Sequence, residues 1–252
     1  MKRFLLAFAL GLAACGQPTT HEAPAQVDTA RQDADFGLRL GLIEGHLMVG
    51  RQLIEAGQTQ NALPHFGHPV RELYSDMLPV IAQRGGQQFD RDLVALEGLA
   101  VSEGNSPAFF NAFDAALAKV RAARALIPAE TWASDEYILG IAADTATTAS
   151  SEYRNAIVAG RIDSLIEYHD ARGFIFYLSD LLAAHQGTDP RLEQARALVA
   201  ELRAFVEPLD PPNPPRATDA QFEEKAAALR ALIGRTAETA APAPMPMQHE
   251  EE

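Results

Sequence analysis

The chain has 252 residues, and its 34 acidic and 21 basic residues give a formal charge of −13 at pH 7. This charge argues against nucleic acid and anionic lipid as partners, because both repel an acidic surface. Cys15 is the only cysteine, so no disulfide can form within the chain and its fold must be held together by a hydrophobic core.

The first fifteen residues have the order of a secretory signal peptide. Lys2 and Arg3 precede an apolar run from Phe4 to Leu12, and Leu-Ala-Ala-Cys occupies positions 12–15. This ending resembles the lipobox of bacterial lipoproteins. The apolar run is shorter than the roughly 20 residues that are needed to span a bilayer.

The lipobox resemblance implies a lipid-anchored protein of the bacterial cell envelope. It implies that residues 1–14 are removed and that acyl chains such as palmitate are attached to the thiol and the new amino group of Cys15. Gly16 follows the cysteine where the family's inner-membrane retention rule requires Asp, which favours the periplasmic face of the outer membrane. Two or more acyl chains anchor a protein stably where one does not.

The rest of the chain divides by composition and hydrophobic period. The polar residues 15–32 predict a flexible tether, and residues 33–206 predict one helical bundle domain. The Pro-rich residues 207–217 predict a stiff linker. Residues 218–235 predict an amphipathic helix that either docks on the bundle or waits for a partner, and residues 236–252 have the composition of a disordered tail.

The first helix is predicted to begin with an N-cap at Asp33 or Asp35 and to stop at Gly57. His46 lies on an apolar flank of this helix, so we expect it to be at least half buried. A histidine in this position is either a metal ligand or a core imidazole bonded to a backbone carbonyl.

Small and apolar residues around the end of this helix resemble the first half of a tetratricopeptide repeat: Gly50, Leu53, Gly57, Ala62 and Phe66. The resemblance is short. It implies a helical hairpin, in which small residues allow two antiparallel helices to pack closely.

The segment NALPHFGHPVRELY, at positions 61–74, predicts a junction between two helices. Gly67 is expected to break the first helix and His68 to cap the second. Pro69 then takes the first helical position, where its missing N–H costs nothing, and the helix continues to about residue 84.

His65, His68 and Glu72 at this junction are the predicted metal ligands, with His46 as a further candidate. Irregular backbone lets the two imidazoles converge, and the carboxylate lies one turn further on. Two histidines and one carboxylate with an open position form a ligand set used for zinc and for non-haem iron. The alternative is structural, with His68 capping a helix and His65 packing beneath the hairpin.

Later helices are predicted at about 89–103, 106–127, from 134 onward, 161–185 and 189–205. Glu152 lies on a row of the long helix that faces inward, and His169 lies on the apolar stripe of the next helix. These two residues form either a second candidate metal site or a hydrogen-bonded pair within the core.

The predicted fold is all-α: an antiparallel bundle of about seven helices with a tethered C-terminal amphipathic helix. The sequence contains no strand-period segment, phosphate loop or hydrolase motif, so no residue set predicts a reaction.

Two functions are compatible with these features. The first is an envelope lipoprotein that binds or delivers zinc, iron or copper; Met245, Met247 and His249 in the tail are additional soft ligands for copper. The second is a non-catalytic structural or adaptor lipoprotein that binds another envelope protein. Histidine ring nitrogens more than about 8 Å apart would exclude a shared ion, because each metal–nitrogen bond is about 2.0–2.1 Å long.

Overall fold

The computed structural model describes residues 28–235. The predicted lipidation site at Cys15 and the possible copper ligands of the tail lie outside these residues. The described fold is a helical bundle, as predicted, with one small addition: residues 157–158 and 161–162 form an antiparallel hairpin that the sequence did not predict. Its turn is made by Ala159 and Gly160, which both have positive φ.

The helices follow one another with short connections. They are α1 (Thr29–Glu55), α2 (Thr59–His68), α3 (Ser75–Gln83), α4 (Asp90–Glu103), α5 (Pro107–Ala122), α6 (Ala129–Trp132), α7 (Asp135–Asn155), α8 (Leu165–Ala184), α9 (Pro190–Phe205) and α10 (Asp219–Leu232). A π-helical turn (Pro69–Tyr74) joins α2 to α3, and a 3₁₀ turn (Ala123–Leu126) follows α5. The strands are β1 (Ile157–Val158) and β2 (Arg161–Ile162).

Helix α1 begins one turn earlier than predicted, with Asp28 as its N-cap; the Asp28 side chain accepts a hydrogen bond from the backbone N–H of Arg31. Asp33, one of the predicted caps, lies buried inside the helix and pairs with Arg84. The first turn of α1 is exposed, so no hydrophobic period marked it in the sequence. The helix ends near Gly57, which has a φ of +76°.

The predicted break at Gly67 and the predicted cap at His68 are wrong. The chain remains helical from Thr59 to Gln83 and passes through the π-helical turn instead of stopping. Pro69 has no N–H for the usual i→i−4 hydrogen bond, and a widened turn is a known way to accommodate such a residue without ending the helix. His65 and His68 therefore project from continuous helix.

The site region is built where α1 crosses α8. Two glycines face each other there: a Cβ on Gly173 would lie 2.4 Å from the carbonyl oxygen of Gly45. Only residues without side chains allow backbones to approach this closely. This contact places His46, next to Gly45, opposite the part of α8 that contains His169 and Asp170.

Helix α10 packs against α7 and α9, which answers the question that the sequence left open. Phe222 is buried and stacks on Tyr153 of α7, with ring centres 4.4 Å apart. Phe222, Ala226 and Leu229 belong to the same hydrophobic core as the other helices. Helices α7, α8, α9 and α10 thus form a four-helix group, across which α1 packs.

Candidate metal centre

Four histidines and one aspartate from three helices meet in the core. His46 comes from α1, His65 and His68 from α2, and His169 and Asp170 from α8; each is at most 4% exposed. The ring centres of the first three histidines are 5.4 to 6.4 Å apart. These separations permit a shared ion.

Asp170 lies at the centre of the cluster. Its Oδ1 is 2.7 Å from Nδ1 of His65 and 3.1 Å from Nε2 of His46, and its Oδ2 is 3.4 Å from Nδ1 of His68. Burial alone would raise the pKa of Asp170, but the interactions with His46 and His65 outweigh burial and hold this pKa well below its ordinary value. Asp170 is therefore a buried carboxylate anion whose near neighbours are imidazoles.

His46 faces this anion with its Nε2 atom. Its Nδ1–H donates to the backbone carbonyl oxygen of Leu42 at 2.8 Å. In the neutral ring Nε2 then has no proton, yet it faces the Asp170 oxygen, which is also an acceptor. Burial lowers the pKa of His46, but Asp170 and the Leu42 carbonyl outweigh burial and raise it above the ordinary value. Either a proton or a metal ion is needed between these two groups.

The spacing of the potential ligand atoms fits a metal ion. With bonds of about 2.0–2.2 Å, neighbouring ligand atoms are separated by about 3.0 Å at a right angle and about 3.4 Å at the tetrahedral angle. Nε2 of His46 lies 3.1 Å from Oδ1 of Asp170 and Nδ1 of His68 lies 3.4 Å from Oδ2, so each histidine is at such a distance from one of the two carboxylate oxygens. Among residues 28–235, these three side chains form a group whose ligand atoms all lie within 4.8 Å of one another.

His65, a predicted ligand, contacts the carboxylate itself. Its Nδ1–H donates to Oδ1 of Asp170. Burial lowers the pKa of His65 despite the nearby carboxylate, so the ring is neutral at pH 7. A hydrogen bond of this kind orients a ligating carboxylate, and such supporting residues matter almost as much for affinity as the ligands do.

Glu72, the predicted carboxylate ligand, lies on the π-helical turn and is half-buried. It is near enough to contribute to the raised pKa of His46. The carboxylate within the close group, however, is that of Asp170. Sequence reasoning missed Asp170, although an aspartate next to a histidine on an otherwise apolar helix was a usable sign.

Glu152 and His169, the second predicted pair, each have surroundings of their own in the structure. His169 Nε2–H donates to the carbonyl oxygen of Leu209 at 2.9 Å, and burial lowers the pKa of His169 to about 4. Burial, reinforced by neighbouring carboxylates of which Asp170 is the first, raises the pKa of Glu152 to about 8. Glu152 is therefore close enough to Asp170 to feel its negative charge. His169 instead contacts the segment that follows α9.

That segment was predicted to be a stiff linker, and its start is tied to the bundle. Besides the His169 contact, the carbonyl oxygen of Pro208 accepts a hydrogen bond from the Tyr168 hydroxyl at 2.8 Å. Asp210 accepts another from the Gln58 side chain, also at 2.8 Å. The segment covers one side of the cluster.

A protein-family model matches the C-terminal part of the chain. Residues 128–240 match the family described as the iron permease-associated 4-helix bundle domain, which is somewhat less than half of the chain. The matched part includes α7 to α10, and so His169 and Asp170, whereas the other three histidines precede it. Neither a curated protein nor a solved structure matches the chain. Within residues 28–235, every helix is too short or too polar to cross a membrane.

Proposed function

We propose that this protein binds a divalent transition metal ion, iron first among the candidates, through His46, His68 and Asp170. The main support is the geometry of the cluster: Nε2 of His46 and Oδ1 of Asp170 face each other at 3.1 Å, and both side chains are buried. A proton or a cation is needed between these two groups, and a bound metal ion would use an electron pair from each.

The ligand set favours iron, with zinc as the nearest competitor. Two histidines and one carboxylate with open positions are the common set for non-haem ferrous iron, and zinc uses the same groups. The family that matches residues 128–240 is named for its association with iron permease, which favours iron in this protein. Copper binds such sites more tightly than either metal in solution, so competition measurements must control its concentration.

We propose binding and delivery of the ion as the role of the site. His46, His65 and Asp170 are at most 1% exposed, so the cluster suits a small bound ion better than a larger substrate. A protein that holds iron near a permease would need to remain at the membrane. The lipobox at Cys15 supplies an anchor for this purpose, and we propose that the protein is held at the periplasmic face of the outer membrane. Mass spectrometry of the amino-terminal peptide tests the anchor: an unmodified peptide that still contains residues 1–14 would exclude it.

The metal site is tested by metal titration of the full chain in detergent, with ferrous iron under anaerobic conditions and with zinc. Asp170→Asn keeps the size of the side chain but removes its charge, and we expect it to weaken binding by at least about 100-fold. His68→Ala should have a similar effect.

The chain offers a matched control for these variants. His185 and Asp135 form another histidine–aspartate pair, with Nε2 and Oδ1 2.6 Å apart, at the far end of α8. Asp135→Asn should leave metal binding unchanged. Binding by Asp170→Asn that equals that of the unmodified protein would show that His46, His68 and Asp170 do not hold the metal.

A further inference from the structure

We infer that a second cation position lies beside the first, between Nε2 of His65 and Nδ1 of His169. It suits a late first-row divalent cation such as Zn²⁺, because its protein ligands are both imidazoles. This inference deepens the proposed function, since His65 also supports the carboxylate of the first position.

Hydrogen bonds fix which nitrogen of each ring is available. His65 donates from Nδ1 to Asp170, and His169 donates from Nε2 to the carbonyl oxygen of Leu209. The remaining nitrogens, Nε2 of His65 and Nδ1 of His169, are buried and have no hydrogen-bond partner among the described residues. Each ring therefore directs an unshared electron pair into the core.

This pattern is typical of metal-binding histidines. A ligating imidazole usually donates its other N–H to a carboxylate or to a backbone carbonyl, which sets the tautomer and the ring orientation. His65 has the carboxylate partner and His169 has the carbonyl partner. A buried water could also satisfy both nitrogens, so the two occupants must be separated by experiment.

The distance between the rings fits a shared ion. A metal about 2.0–2.1 Å from each nitrogen places the ring centres about 5.2 Å apart at a tetrahedral angle and about 6.4 Å apart in a linear arrangement. The observed separation is 5.6 Å, with the rings inclined at 77°. This value corresponds to a bent arrangement, in which water or a small anion would complete the coordination.

The two positions should fill in sequence. His65 lies between them and contacts Asp170 of the first position, so two cations bound at once would repel each other across this short link. We expect the carboxylate-containing position to bind first and the imidazole position to bind more weakly.

The test is the number of zinc ions bound per full chain, counted by native mass spectrometry in detergent micelles. The unmodified protein should bind two. His169→Gln keeps an amide donor for the Leu209 carbonyl but lacks the ligating nitrogen, and it should bind one. His68→Ala should also bind one, now at the imidazole position. His185→Gln, which lies away from the cluster, should still bind two.

The outcomes separate the two proposals. A single zinc ion that is lost in His68→Ala and kept in His169→Gln would overturn the second position and leave the proposed function intact. A single ion that is lost in His169→Gln and kept in His68→Ala would overturn the proposed first position instead. If His169→Gln does not fold, judged by its circular dichroism, the unmodified protein still decides: titration with Co²⁺ should show two saturating steps in the visible absorption, and one step overturns the inference.

Discussion

Asp170 determines the electrostatic character of the cluster. A carboxylate with no exposed surface is stable as an anion only when opposite charge or several hydrogen bonds compensate for lost hydration. Without metal, a proton on His46 provides this compensation, as the raised pKa of His46 indicates. A divalent ion would replace that proton, so metal binding should release protons to the solvent.

Glu152 gives a prediction at the residue scale. Its pKa is raised to about 8, whereas the same group in the unfolded chain titrates near 4.5. Between these values the unfolded state loses its proton while the folded state keeps it, so stability is full below pH 4.5 and decreases as pH rises toward 8. Glu152→Gln cannot ionise and should remove this loss, with a gain on the order of 4 kcal/mol at pH 8.

The measurement is urea unfolding of both proteins at pH 5 and pH 8 in the presence of chelator. The advantage of Glu152→Gln should be larger at pH 8 than at pH 5. Glu130→Gln changes an exposed glutamate and serves as the control for the loss of one charge. An advantage that does not change between the two pH values would contradict the raised pKa.

At the residue scale, the sequence predicted the histidines better than the carboxylate. His46, His65, His68 and His169 could be proposed because histidine is rare on apolar stripes, where it needs a partner. The role of Asp170 is visible only in the structure, because its histidine partners are 102 to 124 residues earlier in the chain. No local spacing connects residues that are this far apart.

At the element scale, predictions succeeded where end signals are local. Ser106 with Pro107, Ser134, and Asp189 with Pro190 mark helix starts in the sequence, and their helices begin there. Prediction failed at Pro69, because whether a proline ends a helix or widens one turn depends on the packing around it. That packing is not encoded in the local pattern.

The crossing of α1 and α8 gives a prediction at the element scale. In Gly173→Ala, the new Cβ would lie 2.4 Å from the Gly45 carbonyl oxygen and 2.9 Å from its carbonyl carbon. Both atoms are backbone, so the helices must separate. We expect a loss of about 1–3 kcal/mol of stability and weaker metal binding, because His46 would move away from Asp170.

Gly98→Ala is the matched control, since a Cβ on Gly98 has nothing within 4 Å among the described residues. Because alanine favours helix over glycine, this change should be neutral or stabilising by up to about 1 kcal/mol. Thermal unfolding and zinc titration of both variants make the comparison. Equal behaviour of the two variants would show that the close crossing does not position the site.

At the scale of the whole molecule, the cluster joins two parts of the chain. Asp170 and His169 lie in the four-helix group, which falls within the matched family region, and the other three histidines of the cluster come from the helices before that region. The periodicity of the sequence could predict an all-α bundle. It could not predict that the two groups of cluster residues would meet. Their meeting depends on the close α1–α8 contact and on the docked segment after α9, and both arise from tertiary packing.

Because the ligands come from three helices, an ion bound at the first position should stabilise the entire bundle. Binding to the native state alone adds about 2.7 kcal/mol at a metal concentration one hundred times the dissociation constant. For a chain of this size, that corresponds to a rise in Tm of about 5–10 °C. The rise should diminish as pH falls, because protons compete with the metal for the imidazoles.

The sign of the pH effect follows from His46. Its pKa is raised, so the proton begins to compete at a higher pH than at an ordinary histidine, and the metal-dependent rise in Tm should already be reduced at about pH 6.5. Thermal melts of the full chain with zinc or with chelator, at pH 8 and pH 6, measure this difference. His46→Ala with His68→Ala should reduce the metal-dependent rise to the smaller part that binding at the imidazole position gives, and His185→Ala should keep the full rise. A rise that is the same in the double variant would mean that the stabilising ion binds elsewhere on the protein.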